Sequence, residues 1–235
     1  CKEPDWVTFA ELHGLRSYAA VPMRIKDQTV GFLNFDSTTP GAFNLAQLEP
    51  AQALANQAAL ALENARAFET AQHNVEQLTL LQQATSALAR AESVEALYHE
   101  VLHWARTLVK ASSATLALFD GLAHLVIVAG EGVRTDVVGT RIGLGETVHG
   151  EATRLRHSVQ VQHYGKLPGH ATALSNEGID SIVALPLIWE DRLIGTLGVG
   201  DDHEREYSTG DIRILELFAA SAAAAVEQRR ALSTL

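Results

Sequence analysis

The stretch GIDSIVALPLIWEDRLIGTLGV, residues 178–199, occurs in the chain a second time in related form. Its relative, GLRSYAAVPMRIKDQTVGFLNF, covers residues 14–35, and the offset of 164 residues (178 − 14) holds without a gap across both stretches. Several residues are identical in register: Gly14 with Gly178, Ser17 with Ser181, Pro22 with Pro186, Gly31 with Gly195, and Leu33 with Leu197. So many matches in one register indicate a duplicated unit.

Each copy has the pattern of a hairpin followed by a helix. In the second copy, SIVALPLIW and LIGTLGVG are β-branched and apolar, and the turn residues EDR separate them. This arrangement predicts two antiparallel strands. Downstream, YSTGDIRILELFAASAAAAVEQRRAL predicts a helix, with Ser208 as its N-cap and Asp211 three residues later. The small residues of this helix would allow another helix to approach closely.

The second copy extends upstream through further elements. SSATLALFD and HLVIVAGEG predict two strands around a turn at Gly121, GLGETVHGEATRLRHS a glycine-rich loop entering a short helix, and VQVQHY one more strand. A helix containing His99 precedes them all. The order predicts an α+β fold, an antiparallel sheet flanked by helices, with the first and last helices on the same face.

A long helix connects the two copies. No Gly or Pro occurs between residues 51 and 120, and the segment is rich in Ala, Leu, Glu and Gln. A mostly apolar stripe runs along it at spacings of three and four: Val75, Leu78, Leu81, Thr85 and Leu88. A break near Glu92 precedes a new helix that begins at Ser93. Such a helix cannot bury its stripe against one small domain, so we expect a partner helix.

We therefore divide the chain into three parts. Residues 1–65 form the C-terminal half of a first domain, 66–92 a helical linker, and 93–235 a complete second domain with its C-terminal helix. The first copy lacks the upstream elements of the second, and the chain does not begin with Met. We expect it to be a fragment of a longer protein.

These motifs resemble the GAF domain family, the regulatory modules of sensor kinases, cyclic-nucleotide phosphodiesterases and phytochromes. The resemblance is carried by GLGETVHGEA from Gly143, SIVALPLIWEDRLIGTLGV from Ser181, and the terminal helix. It covers nearly the whole chain, with the first GAF domain truncated, and implies a fold with a long connecting signalling helix. It also implies a ligand-binding or dimerising sensor module and no enzyme. It identifies neither ligand nor cofactor, because one fold hosts many functions.

The resemblance also locates a ligand site. In GAF domains the sheet forms the floor of the cavity, and the irregular segment before the hairpin forms its lid. On this chain that implies Phe119 on a strand, His149 and Tyr164 around the lid, and His170 and Ser181 near the hairpin. Apolar walls with a few polar groups suit a small organic molecule.

The stretch YHEVLHWA, residues 98–105, contains the His-Glu-x-x-His spacing of zinc proteases in His99, Glu100 and His103. The apolar stripe of this predicted helix is formed by other residues, so both histidines are expected to face solvent. The longer protease signature would need Gly at Arg106 and His at Val109. Two surface histidines without bound zinc are therefore our interpretation.

Other cofactor patterns are incomplete. Gly143, Gly145 and Gly150 lack the Lys-Ser/Thr of a phosphate loop. Imidazoles near the lid could ligate haem iron or a metal, but scattered histidines are the preferred interpretation: His149, His157, His163 and His170. Cys1 is the only cysteine, which excludes bilin attachment and the thiol chemistry of GAF-type methionine sulfoxide reductases within residues 93–235. The Asn-Lys-Phe-Asp-Glu signature of cyclic-nucleotide-binding GAF domains is also missing.

Composition limits the partners. The formal net charge is −10 and no basic cluster occurs, which argues against nucleic acid and anionic membranes. No apolar run reaches the length of a membrane span, and the single cysteine indicates a cytoplasmic setting. We expect a cytoplasmic homodimer that binds a small molecule and signals to an output domain, such as a histidine kinase of a two-component system. The alternative is a dimerisation and relay module with a degenerate, ligand-free pocket.

Overall fold

The computed structural model describes residues 14–120, 124–133, 137–144, 147–164 and 178–233, with the backbone alone at positions 47 and 73. The chain divides into two compact units, Cys1–Asn74 and Val75–Leu235. The long helix α1, Leu45–Arg90, begins in the first unit and ends in the second. This continuous helix confirms the helical connection predicted from composition.

In the described residues of the first unit, a hairpin precedes α1. Strand β1, Ser17–Ile25, pairs antiparallel with β2, Gln28–Ser37. The turn between them places Lys26 at a φ of 52°, the left-handed region that tight hairpin turns require. Two alanines of α1, Ala55 and Ala59, are fully buried in this unit.

The second unit is built on a six-stranded antiparallel sheet in the order β5-β4-β3-β8-β7-β6. Its strands are β3 Ser113–Phe119, β4 Leu125–Glu131, β5 Arg141–Ile142, β6 Val159–Val161, β7 Ser181–Trp189 and β8 Arg192–Asp201. Its helices are α2 Val94–Val109, α3 Val148–Leu155 and α4 Thr209–Ser233. The α+β fold with an antiparallel sheet is therefore confirmed.

Local signals explain where these elements begin. Ser93 caps α2 by accepting a hydrogen bond from the backbone N–H of Ala96, as the sequence predicts. Ser208 and Asp211 form the reciprocal bonds of a capping box at the start of α4. The β7–β8 turn places Glu190 and Asp191 at positive φ, 46° and 63°.

Alternation along the strands divides the core into two clusters, one on each face of the sheet. Residues 183, 185 and 187 of β7 pack on the face that carries α2 and α4, together with Leu116 of β3 and Leu197 of β8. Ile182 and Ala184 pack on the other face with Ala117, Val148 and Ala152. The first and last helices therefore lie on the same face, as predicted, and α3 covers the opposite one.

The two helix surfaces singled out in the sequence have different environments in the structure. The apolar stripe of α1 is split, because Val75 and Leu78 are exposed whereas Leu81 and Leu88 pack into the core of the second unit. Three residues of the small-residue surface of α4 are buried in the core of their own unit: Ala219, Ala222 and Ala223. This surface allows α2 and β7 to pack closely against α4, as the small side chains predict.

Candidate functional site

Helix α3 places one imidazole against the centre of the sheet. Thr147 caps the helix, its Oγ1 accepting from the backbone N–H of Gly150 at 3.2 Å. Val148 and Ala152 anchor the helix in the apolar cluster on this face. The intervening residue, His149, is fully buried.

The imidazole of His149 is held between two threonine hydroxyls. Its Nε2 lies 2.9 Å from Oγ1 of Thr115 on β3, and its Nδ1 lies 2.9 Å from Oγ1 of Thr196 on β8. A neutral imidazole donates through one nitrogen and accepts through the other, so one threonine accepts and the other donates. Burial lowers the pKa of His149 to about 4, because water no longer solvates the charged form. With both nitrogens hydrogen-bonded, this ring is not a free metal ligand.

Gly198 makes room for this ring. It is paired with Thr115 across the β3–β8 ladder. A Cβ atom at Gly198 would lie 2.5 Å from Cε1 of His149 and 2.7 Å from its Nε2, far closer than carbon atoms pack. The close packing of α3 on the sheet therefore depends on glycine at this position.

The five predicted ligand-binding residues are not all brought together. Phe119 is half-buried at the end of β3 and Tyr164 is almost fully buried, and both pack in the cluster that also contains Val148, the neighbour of His149 on α3. Ser181 is odd-numbered on β7 and points toward the other face, where its Oγ accepts from the backbone N–H of Arg205 at 2.8 Å. His170 lies outside the described residues. Ligand contact by any of them stays a prediction.

A second buried polar group, Asp201 at the end of β8, was not singled out by the sequence. Its Oδ2 accepts from the hydroxyl of Tyr207 at 2.9 Å and from Nη1 of Arg205 at 3.0 Å, and its Oδ1 accepts from the backbone N–H of Ser112. The Arg205 guanidinium lies over the Tyr207 ring, with Cζ 4.5 Å from the ring centroid. Burial of the Tyr207 hydroxyl raises its pKa well above the usual range. The hydrogen bond to the negatively charged Asp201 carboxylate is the second cause and acts in the same direction. In the sequence, this network is indicated only by the i, i+4 spacing of the oppositely charged Asp201 and Arg205.

This polar network joins three elements around the β8–α4 loop. Nη2 of Arg205 donates to the carbonyl of Val109 at the end of α2, 2.7 Å away. The backbone N–H of Tyr207 donates to Oε1 of Gln160 on β6, 2.8 Å away. Strand β6, which follows α3, is thereby hydrogen-bonded to the residue just before the cap of α4.

The His-Glu-x-x-His residues lie on the outer side of α2. His99 and His103 are exposed, as their positions off the apolar stripe predict. Glu100 accepts a hydrogen bond from the indole of Trp104 at 3.1 Å. Across the described parts of the chain, no group of three or more His, Cys, Asp or Glu residues is arranged to hold a metal ion.

The remaining described histidines near the lid are dispersed. The Nδ1 of His157 lies 2.8 Å from the carbonyl of Ser158 at the surface. His163 lies between two carboxylates, 3.4 Å from Oδ2 of Asp180 and 3.4 Å from Oε1 of Glu204.

None of the helices in the described ranges has both the length and the apolar character of a membrane span.

Comparison with known proteins gives one consistent family. The sequence profile of the GAF domain matches residues 91–227, more than half of the chain, and a second GAF domain profile matches residues 2–64. No curated protein matches by sequence.

Solved structures resemble the fold. The GAF domain of an Acinetobacter phosphoenolpyruvate-protein phosphotransferase has a TM-score of 0.60 at 15% identity, covering 68% of this chain and 98% of its own. The corresponding domain from Coxiella burnetii has a TM-score of 0.62 at 20% identity, covering 68% and 97%. A free methionine-R-sulfoxide reductase from Neisseria meningitidis, solved with its substrate, has a TM-score of 0.57 at 23% identity, covering 66% and 91%. At these identities the likeness concerns the fold alone.

Proposed function

Because this chain belongs to the GAF domain family, we propose that its second unit is a non-catalytic sensor that binds a small molecule on the α3 side of its sheet. Binding is relayed through the helices to an output domain, such as a histidine kinase. The observation that carries this proposal is that, within the described residues, the two faces of the sheet are covered by different numbers of helices. Helices α2 and α4 cover one face, whereas the short α3 covers the other.

The apolar side chains that the described residues place on the α3 side suit an organic molecule. Half-buried apolar side chains pack around the cluster beneath α3: Phe119, Val133, Val159 and Val161. The polar groups of this face are few, and His149 with its two threonines is neutral. An apolar surface with few polar groups favours a small, largely apolar ligand.

The network at Asp201 offers a route from this face to the helices. Displacement of β6 by a ligand would pull on the hydrogen bond between Gln160 and Tyr207. Tyr207 and Arg205 both bind Asp201, and Arg205 also binds the last turn of α2. A shift of β6 would therefore reach both helices of the opposite face.

A catalytic role is disfavoured by the same residues. The ring nitrogens of His149 are both hydrogen-bonded in a buried position, so the ring has no free site for substrate. Residues 93–235 contain no cysteine, and thiol-based reduction in that segment is therefore excluded.

A second candidate is a relay module with a degenerate, ligand-free pocket. The dense filling of the α3 side favours it, since Tyr164, Ile179 and Ile182 occupy this face with their own side chains. The two candidates differ in whether a small molecule binds at all.

Amide NMR of the isotopically labelled chain distinguishes them. The low-molecular-weight fraction of a cell extract is titrated in, and we expect shifts at Phe119, Ala152 and Val161 that exceed those at Leu97 and Ala222. Phe119→Ala should abolish the shifts, whereas the exposed-site control Leu217→Ala should retain them. Unchanged spectra with every fraction would support the ligand-free candidate.

A further inference from the structure

A groove opens at the edge of the second unit's sheet, where β6 stops covering β7. Strand β6 pairs only with residues 182–184 of β7, so among the described residues no strand lies beside the rest of β7 on that side. The groove at this place has a volume of about 270 Å³. Its walls are residues 156–158, which follow α3, and the exposed side of α4. We call it the edge groove.

The floor of the edge groove is apolar. It is formed by Leu185, Pro186 and Ile188 of β7, and Ala220 of α4 lies beside them. Pro186 and Ile188 are half-buried, so part of each side chain faces the groove. Sites for drug-sized molecules have volumes of about 300–1,000 Å³. The smaller edge groove therefore suits a small molecule with one short aliphatic group.

The walls of the edge groove carry charges of both signs. Arg156 and His157 line one wall, and Glu216 of α4 lines the other. The Oε1 of Glu216 accepts from the hydroxyl of Ser158 at 2.7 Å, and Nη2 of Arg156 donates to the carbonyl of Asp191 at 2.6 Å. Among the described residues, Glu216 forms no ion pair with Arg156 or His157. Opposite charges thus face one groove without neutralising each other.

We propose that the edge groove binds a free α-amino acid with an aliphatic side chain, of the size of leucine. The ammonium group of the ligand binds Glu216, and its carboxylate binds the guanidinium of Arg156, with His157 beside it. Its side chain lies on Pro186 and Ile188. Hydrogen bonds between a guanidinium and a carboxylate are among the strong ones in proteins, because both groups are charged. This site is separate from the α3 side and goes beyond the proposed function.

The presence of both charges selects a zwitterion over a singly charged molecule. A simple anion would bind Arg156 but would be repelled by Glu216, and a simple cation would meet the reverse combination. A free amino acid carries an ammonium and a carboxylate on one carbon atom, together with one side chain. The N-terminus or the C-terminus of a peptide supplies only one of the two charges.

Titration of the isotopically labelled full chain with L-leucine, followed by amide NMR, tests the proposal. We expect saturable shifts at Ser158, Ile188 and Ala220 that exceed those at Phe119 and Val161. For a Kd of about 1 mM, these shifts are nearly complete at about 10 mM L-leucine. N-acetyl-L-leucine has no ammonium group and L-leucinamide has no carboxylate. Each should therefore bind about tenfold more weakly or worse.

Two variants remove one charge each from the walls. Glu216→Gln keeps an oxygen atom that accepts from Ser158, and Arg156→Gln removes the guanidinium. Each should weaken L-leucine binding about tenfold or more. Glu206→Gln and Arg90→Gln change exposed residues that do not line the groove, so these matched controls should bind like the parent chain. Circular dichroism checks that all variants fold.

Several outcomes would overturn the proposal. The absence of shifts at about 10 mM L-leucine would do so, as would equal binding of L-leucine and either of its singly charged analogues. Parent-like binding by Glu216→Gln would show that the ammonium group does not meet this carboxylate.

The edge groove and the α3 side can be tested separately. In Phe119→Ala, L-leucine should still shift the amides of Ile188 and Ala220, because Phe119 packs in the cluster beneath α3. Loss of these shifts in that variant would assign the amino acid to the α3 side and overturn the edge groove. A failed extract titration would leave the L-leucine result intact, since that titration uses purified protein and one defined compound.

Discussion

Gly198 lies against the imidazole of His149, so close that a Cβ atom would stand 2.5 Å from the ring carbon Cε1. The contact links β8 to α3 at the middle of the sheet face that we assign to ligand binding. The packing of α3 on the sheet thus requires that residue 198 has no side chain. It also depends on the neutral imidazole of His149, which is hydrogen-bonded through both nitrogens.

Gly198→Ala should therefore destabilise the second unit. Overpacking of this kind costs about 1–3 kcal/mol, because the ring and Thr115 must shift. Chemical denaturation measures the loss. Gly210→Ala is the matched control, since a Cβ there meets only Ser208 Oγ at 3.6 Å, an ordinary contact. Equal stability of the two variants would show that α3 has room to move.

The stability of the second unit should fall as pH decreases from 6.5 to 4. Above pH 6.5, His149 is neutral in both folded and unfolded chains. Below pH 6.5, His149 becomes protonated in the unfolded chain. In the folded chain it stays neutral until the pH reaches its lowered pKa of about 4. The difference in pKa corresponds to a loss of about 3 kcal/mol across this range.

Denaturation at a series of pH values measures this loss. His149→Gln should be less stable at pH 7 but should lose less stability on acidification. His157→Gln, which alters an exposed ring, should keep the slope of the parent chain. A parent slope unchanged by His149→Gln would contradict the assignment.

Tyr207→Phe should destabilise the chain by about 1–2 kcal/mol, because it removes a donor to the buried Asp201 carboxylate. Tyr98→Phe is the control, since that hydroxyl makes no hydrogen bond within the described part of the chain. The measurement is urea denaturation of both variants. If Tyr207→Phe matches Tyr98→Phe, the Asp201 network contributes little to stability.

Tyr164→Ala should lower the stability by about 3–5 kcal/mol, because this ring is buried in the cluster beneath α3. Tyr164→Phe keeps the ring and should lose much less. Calorimetric melting of the two variants measures the difference. A small loss of stability for Tyr164→Ala would contradict a core role and indicate that the residue lines an accessible pocket.

The fold was predictable because its signals are local or repeated. The caps at Ser93 and Ser208 involve residues within one helical turn, and the EDR turn fixes the β7–β8 hairpin. The duplication provided two examples of the same hairpin. The split of the α1 stripe was not predictable, because it depends on where the core of the second unit packs against the helix, which leaves Leu81 partly buried and Leu78 exposed.

The candidate site was only partly predictable, because its contacts join distant strands. His149 was selected as a lid residue, but its threonine partners come from β3 and β8 and depend on strand register. Ser181 was assigned to the pocket, although alternation along β7 directs its side chain to the other face. A hairpin pattern predicts that strands pair, but it does not show which face each residue meets.

Native mass spectrometry of the freshly purified chain tests the central claim, that the second unit binds a small molecule, most directly. We predict a non-covalent adduct of a few hundred daltons at up to one per chain, restored after refolding when extract is added back, and lost in Phe119→Ala. The mass of the polypeptide alone in every preparation, with and without extract, would contradict the sensor account and favour the ligand-free relay.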